Sequence, residues 1–147
     1  MNISFAQKLI TEPGRETTKQ LFAGAENVFW VDWREADDDI ITLAANALAT
    51  TDLRPQWTDD VLYINFQGNL TKIPLNFEPE EQDITLVTLN SAISAEFNIR
   101  FITASNGGDT IAFLVLDNPS WAQLESEFGE KVDSAFQKIE LGAQFLK

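Results

Sequence analysis

Six consecutive apolar residues, Ile111-Ala112-Phe113-Leu114-Val115-Leu116, are bounded by Asp109-Thr110 on one side and Asp117 on the other. The run has the length of a strand and is apolar at both odd and even positions. Successive side chains of a strand point to opposite faces, so both faces of this one must be covered. That places it in the centre of a sheet.

The stretch from Val61 to this run reads as hairpin, helix, hairpin. Leu62, Ile64 and Phe66 alternate with Val61, Tyr63 and Asn65, the period-two signal of a strand. Gln67-Gly68-Asn69 supplies turn residues that tolerate positive φ. Thr71, Ile73, Leu75 and Phe77 then share one face of a second strand. Pro74 lies within it and cannot donate to a ladder, so this strand is an edge or carries a bulge. Pro79 suits a first helical turn, and Glu80, Glu81 and Asp83 match the positive end of that helix's dipole. Leu86, Leu89 and Ile93 recur at helical spacing, with Val87 alongside. In the second hairpin Phe97, Ile99 and Phe101 share one face, Asn98 and Arg100 the other. Asn106-Gly107-Gly108-Asp109 makes its turn. These elements predict one four-stranded antiparallel sheet whose apolar face is covered by helices.

Around this centre the signals vary in strength. Ile3, Ala6, Leu9 and Ile10 fit a short amphipathic helix, interrupted by Pro13-Gly14. Thr17 to Ala25 reads as a second helical stretch with Leu21 and Phe22 apolar and Gly24 near its end. Val28-Phe29-Trp30-Val31 reads as a buried strand. Asp37, Asp38 and Asp39 stand where a first turn should be, followed by Ile40, Leu43, Ala44, Ala47 and Leu48 at helical spacing. Thr50 to Asp60 reads as the longest loop. Asn118 suits an N-cap and Pro119 the first helical position, with Trp121, Leu124 and Phe128 on one face. Gly129 marks a break or cap, after which Val132, Phe136 and Ile139 resume the helical spacing. Leu141 to Lys147 has apolar side chains without a pattern. The expected fold is a single α+β domain over residues 1–147, a mainly antiparallel sheet with a hairpin–helix–hairpin core packed against helices. Its core is expected to hold Trp30, Ile64, Phe66, Leu86, Leu89, Phe101, Phe113 and Trp121.

Composition removes most chemistries. The chain has neither cysteine nor histidine. Disulfides, thiolate or imidazole metal sites and Ser-His or Cys-His nucleophilic systems are therefore out of reach. Carboxylate chemistry, a lysine base and an oxygen-liganded metal remain. No cofactor or metal is expected. The acidic triplet 37–39 lacks the Gly and distal Glu of a calcium loop, and a helix start explains it better. Ten basic against 23 acidic residues give a net charge of −13. Such a chain repels phosphate backbones and anionic lipid surfaces, so no nucleic-acid or membrane partner is expected. The first ten residues read poorly as a signal peptide, and the absence of cysteine makes a cytoplasmic location the default expectation.

Two functional readings follow. The first is a non-catalytic acidic domain that binds a basic protein partner; a homodimer is compatible with it. Its candidate site is Trp57 with Asp59 and Asp60, joined by Asp37, Asp38 and Asp39. A Trp in a polar segment serves either as a partner's anchor or as a lid over the core. The alternative is a small carboxylate-dependent enzyme using some pair among Glu35, Asp59, Asp60 and Asp109. In size, acidity and its trailing order of hairpin, helix, hairpin, helix, the chain resembles small secretion chaperones. In general character it is similar to immunity proteins that neutralise toxins, or to an inhibitor. The Val28–Val31 strand and the Asp37–Leu48 helix depart from the simplest chaperone order. What these resemblances imply is a partner-binding role.

Overall fold

The computed structural model describes residues 1–14, 19, 23, 25–32, 34–75 and 82–140. The readings of residues 17, 18, 20–22 and 24 as a helix, of residues 76–81 as a strand end and helix start, and of residues 141–147 lie outside them. Among the described residues the helices are α1 (Ser4–Thr11), α2 (Asp37–Ala47), α3 (Gln82–Ile93), α4 (Asn118–Phe128) and α5 (Lys131–Ala135). The strands are β1 (Val28–Asp32), β2 (Leu53–Thr58), β3 (Val61–Phe66), β4 (Asn69–Lys72), β5 (Phe97–Ile102), β6 (Thr110–Asp117) and β7 (Phe136–Lys138). The class is α+β, with antiparallel pairing throughout.

The strand that is apolar on both faces is central. β6 lies between β1 and β5 in a four-stranded sheet ordered β1-β6-β5-β7. Its residues divide between two cores. Ile111, Phe113 and Val115 face α2, α3 and a second sheet, beside Phe29, Val31, Ile99 and Phe101. Ala112, Leu114 and Leu116 face the other way, towards α1, α4 and α5, with Leu9, Trp121, Leu124 and Phe136. The six apolar side chains of β6, Ile111 to Leu116, are all buried. Phe113 is wholly enclosed, stacked on Phe29 at 5.4 Å and edge-on to Phe101 at 5.8 Å.

The expected single sheet is in fact two. β3 is flanked on both sides, by β2 and β4, and has no edge left for the 97–117 hairpin. That hairpin pairs with β1 and β7 instead. The cause lies in residues 50–60, which are not a loop. Leu53–Thr58 forms β2 and turns into β3 through Asp59 and Asp60, whose φ of 50° and 63° are both positive, as the mirror-image two-residue hairpin turn requires. Gln67 and Gly68, with φ of 54° and 85°, make the same kind of turn into β4. Pro55 is tolerated because it sits opposite Ile64 at a non-hydrogen-bonded position, where its missing N–H points off the sheet's edge. Pro74 does not interrupt β4, an edge strand that stops at Lys72; Ile73 N–H still reaches Leu62 O at 2.9 Å.

Three smaller corrections concern ends. The N-cap of α4 is Asp117, whose carboxylate accepts from Ser120 N–H at 2.9 Å; Asn118 is the first helical residue. Gly129 ends α4 at φ 58°, and the expected continuation is a five-residue helix followed by a strand. Phe136 is thus buried from β7, edge-on to Trp121 at 5.4 Å, rather than from a helix face. Trp30 is only partly buried, on the α1 side; the other seven expected core residues are buried.

Candidate functional site

Residues directly opposite in an antiparallel pair share a face. Leu53, Pro55 and Trp57 therefore lie with Phe66, Ile64 and Leu62, on the core side of the small sheet. Leu53 is closed in the core, but Trp57 lies at the row's end and is 48% exposed. The indole reaches the first turn of α2, where Nε1–H donates to Asp38 Oδ2 at 3.2 Å. It is neither in a loop nor a closed lid: it is a half-exposed ring held by one carboxylate.

That bond joins the two halves of the candidate site. Asp59 and Asp60 follow Trp57 in the exposed turn, and Asp38 brings the start of α2 to the ring. Asp37, Asp38 and Asp39 occupy the first helical turn behind Ala36, which supplies no side-chain cap. Asp38 Oδ1 accepts from Asp39 N–H at 3.0 Å. Asp37 turns inward and accepts from the buried Thr85 hydroxyl at 2.6 Å, tying α2 to α3. Asp37 thus has a structural task, while Asp39, Asp59 and Asp60 are exposed. Among the described residues no cluster of carboxylates could hold a metal ion.

The nearby cations face elsewhere. Arg34 pairs with Asp32 at 3.3 Å. Arg54 precedes Pro55 by one residue and so lies on the opposite, outer face of the small sheet. Lys72 joins it there, opposite Tyr63. Trp57 is left with acidic neighbours.

The carboxylates considered for catalysis are dispersed. Asp59 and Asp60 shape the β2–β3 turn, Asp109 lies before β6 on the other sheet, and Glu35 precedes α2, its carbonyl accepting from Gln82 at 3.2 Å. Four surface cavities of 340 to 660 Å³ are lined by other residues. One cavity does present two carboxylates, Glu125 and Glu140, beside Arg100 and Lys138. There the hydrogen bond from Arg100 holds the Glu125 carboxyl below its ordinary range. A group so held is a poor proton donor at neutral pH.

Arg100 itself was hidden in the sequence. Alternation puts Asn98 and Arg100 on a polar face of β5, yet α4 covers that face. Arg100 is 6% exposed; its Nη2–H donates to Glu125 at 2.7 Å, and the guanidinium carbon sits 4.1 Å over the Trp121 ring. Among the described residues its Nε and Nη1 have no hydrogen-bond partner. Asn98 is equally committed: its carbonyl accepts from the Trp121 indole and its amide donates to Asn118.

No family model, no curated protein and no solved structure matches this chain. The likeness to chaperones and immunity proteins therefore has no support beyond element order and charge. No helix among the described residues is long and apolar enough to cross a membrane.

Proposed function

We propose that the chain is a non-catalytic binding protein whose partner presents a basic surface, engaged through Trp57 and the carboxylates around it. The observation that carries this reading is the half-exposed Trp57 indole held at Asp38. An ordered aromatic ring with a polar tip is a typical energetic anchor of an interface. Holding the ring before binding reduces the ordering cost of association. Asp39, Asp59 and Asp60 supply an acidic rim, and the net charge of −13 steers a positive partner towards it. The competing role for these carboxylates is dipole compensation, turn formation and solubility. That role explains the charges but not an indole left half in water beside them.

Selection from a display library of random peptides on the immobilised protein tests the reading. Enriched peptides should carry Lys or Arg flanking an apolar residue. Their association should slow as salt rises, since the screening length falls to about 3 Å at 1 M. Enrichment of neutral or acidic peptides whose binding ignores salt would overturn it.

A further inference from the structure

On the opposite side of the four-stranded sheet from Trp57, a cavity of 340 Å³ opens between α1, α5 and the turn that follows β5. Its apolar lining comes from Leu9 and Ile102, which are buried, together with Ile10 and Ala135. The polar groups of its wall are largely consumed. The Thr103 hydroxyl donates to the carbonyls of Ser134 and Ala135, at 2.8 and 3.1 Å, which also fixes the end of α5 against the turn. Two polar handles remain, both exposed on α5: the Lys131 ammonium and the Ser134 hydroxyl, three residues apart and so on one side of the helix. Among the described residues Lys131 is the one ionisable residue lining the cavity, and it forms no ion pair with any of them. In a chain with 23 acidic and ten basic residues, a lysine lining an apolar cavity without an ion pair among the described residues is a specific arrangement.

We propose that this cavity binds a small amphiphilic carboxylate, its apolar chain against Leu9, Ile10 and Ile102 and its carboxylate at Lys131 and Ser134. An apolar pocket with a few placed polar groups is the usual form of a small-molecule site. One ammonium and one hydroxyl match the two oxygens and single charge of a carboxylate; a doubly charged phosphate would lack a second cation. An open-mouthed space of this size admits a chain of about eight carbons, which makes octanoate a suitable probe. The site is independent of the Trp57 reading.

Octanoate below its micelle-forming concentration is the probe, with octylammonium and octanol as controls, followed by methyl and amide NMR shifts of the full chain. Octanoate should bind saturably, with shifts confined to α1, α5 and residues 102–104, and octylammonium should not. Lys131→Gln should weaken octanoate about fivefold, the scale of a solvent-exposed ion pair, and leave octanol unchanged. Ala104→Phe, made at an exposed position at the rim, should block octanoate without lowering the melting temperature. Equal binding of octanoate and octylammonium would overturn the proposal, as would absence of saturation or indifference to Lys131→Gln. Should Ala104→Phe unfold the protein, the Lys131→Gln comparison decides alone.

Discussion

At the scale of single residues the clearest commitment is Arg100 with Glu125. A guanidinium enclosed by Trp121 and α4 has one carboxylate partner among the described residues, whereas Glu125 is itself 45% exposed and can be solvated without its partner. The two ends are therefore unequal. Glu125→Ala strands a buried charge and should cost about 2 kcal/mol, less than the cost of breaking a fully buried pair because water reaches the site. Arg100→Met, which fills the same space without charge, should cost less than Glu125→Ala in urea unfolding. The pH dependence has the same origin. The hydrogen bond from Arg100 holds the Glu125 carboxyl low. Burial works to raise the Asp117 carboxyl, but its bonds with Ser120 and the terminal amine leave it below its ordinary value. A lowered folded-state pKa gives stability that is fully present above the ordinary values of 4.5 and 3.8 and is lost as pH falls through the folded ones. The urea midpoint should accordingly hold from neutral pH to about 5 and then fall, and fall less for Glu125→Gln. A midpoint that rises through that window would show that relief of repulsion among the acidic residues outweighs both interactions.

Among elements, β6 fixes the architecture. Phe113→Ala removes a fully enclosed ring packed between Phe29 and Phe101, and should destabilise by about 3–5 kcal/mol. An unchanged urea midpoint would contradict the placement of that strand. Its burial on both faces was legible from six residues, because the unbroken apolar run leaves no other arrangement. Helix α2 was legible for a similar reason: its periodicity and acidic first turn agree. Residues 50–60 read as a loop because Pro55 and the flanking Thr50-Thr51-Asp52 and Asp59-Asp60 outweigh the alternation of Leu53, Pro55 and Trp57 with Arg54, Gln56 and Thr58, which is the strand signal that was there. Only the pairing shows that Pro55 falls where no ladder bond is lost. Strand partners are chosen by contacts distant in sequence, and without β2 the remaining strands count as a single sheet that joins the first hairpin to the second. The end of the described chain misled for another reason. Val132, Phe136 and Ile139 keep helical spacing, but Gly129 lets the backbone turn, and Phe136 fills the same core from β7.

For the whole molecule, the four-stranded sheet separates two sides of different character. The α2 side carries the exposed indole and an acidic rim, with Arg54 and Lys72 turned to the outer face of the small sheet. Sequence pointed to the residues of this rim because Trp57 is flanked by Asp59 and Asp60; that Asp38 holds the indole depends on how α2 packs on β2, which no spacing reveals. The cavity at Lys131 was not legible at all, because α1 and α5 meet only through the tertiary fold. The proposed role of Trp57 places it in a binding surface and not in the core. It is tested most directly by comparing wild type with Trp57→Ala, each measured for affinity towards one selected basic peptide and for its urea midpoint. Trp57→Ala should bind about thirtyfold more weakly, about 2 kcal/mol as for an interface anchor, with the midpoint unchanged. Unchanged binding, or a midpoint lowered as much as by Phe113→Ala, would contradict it.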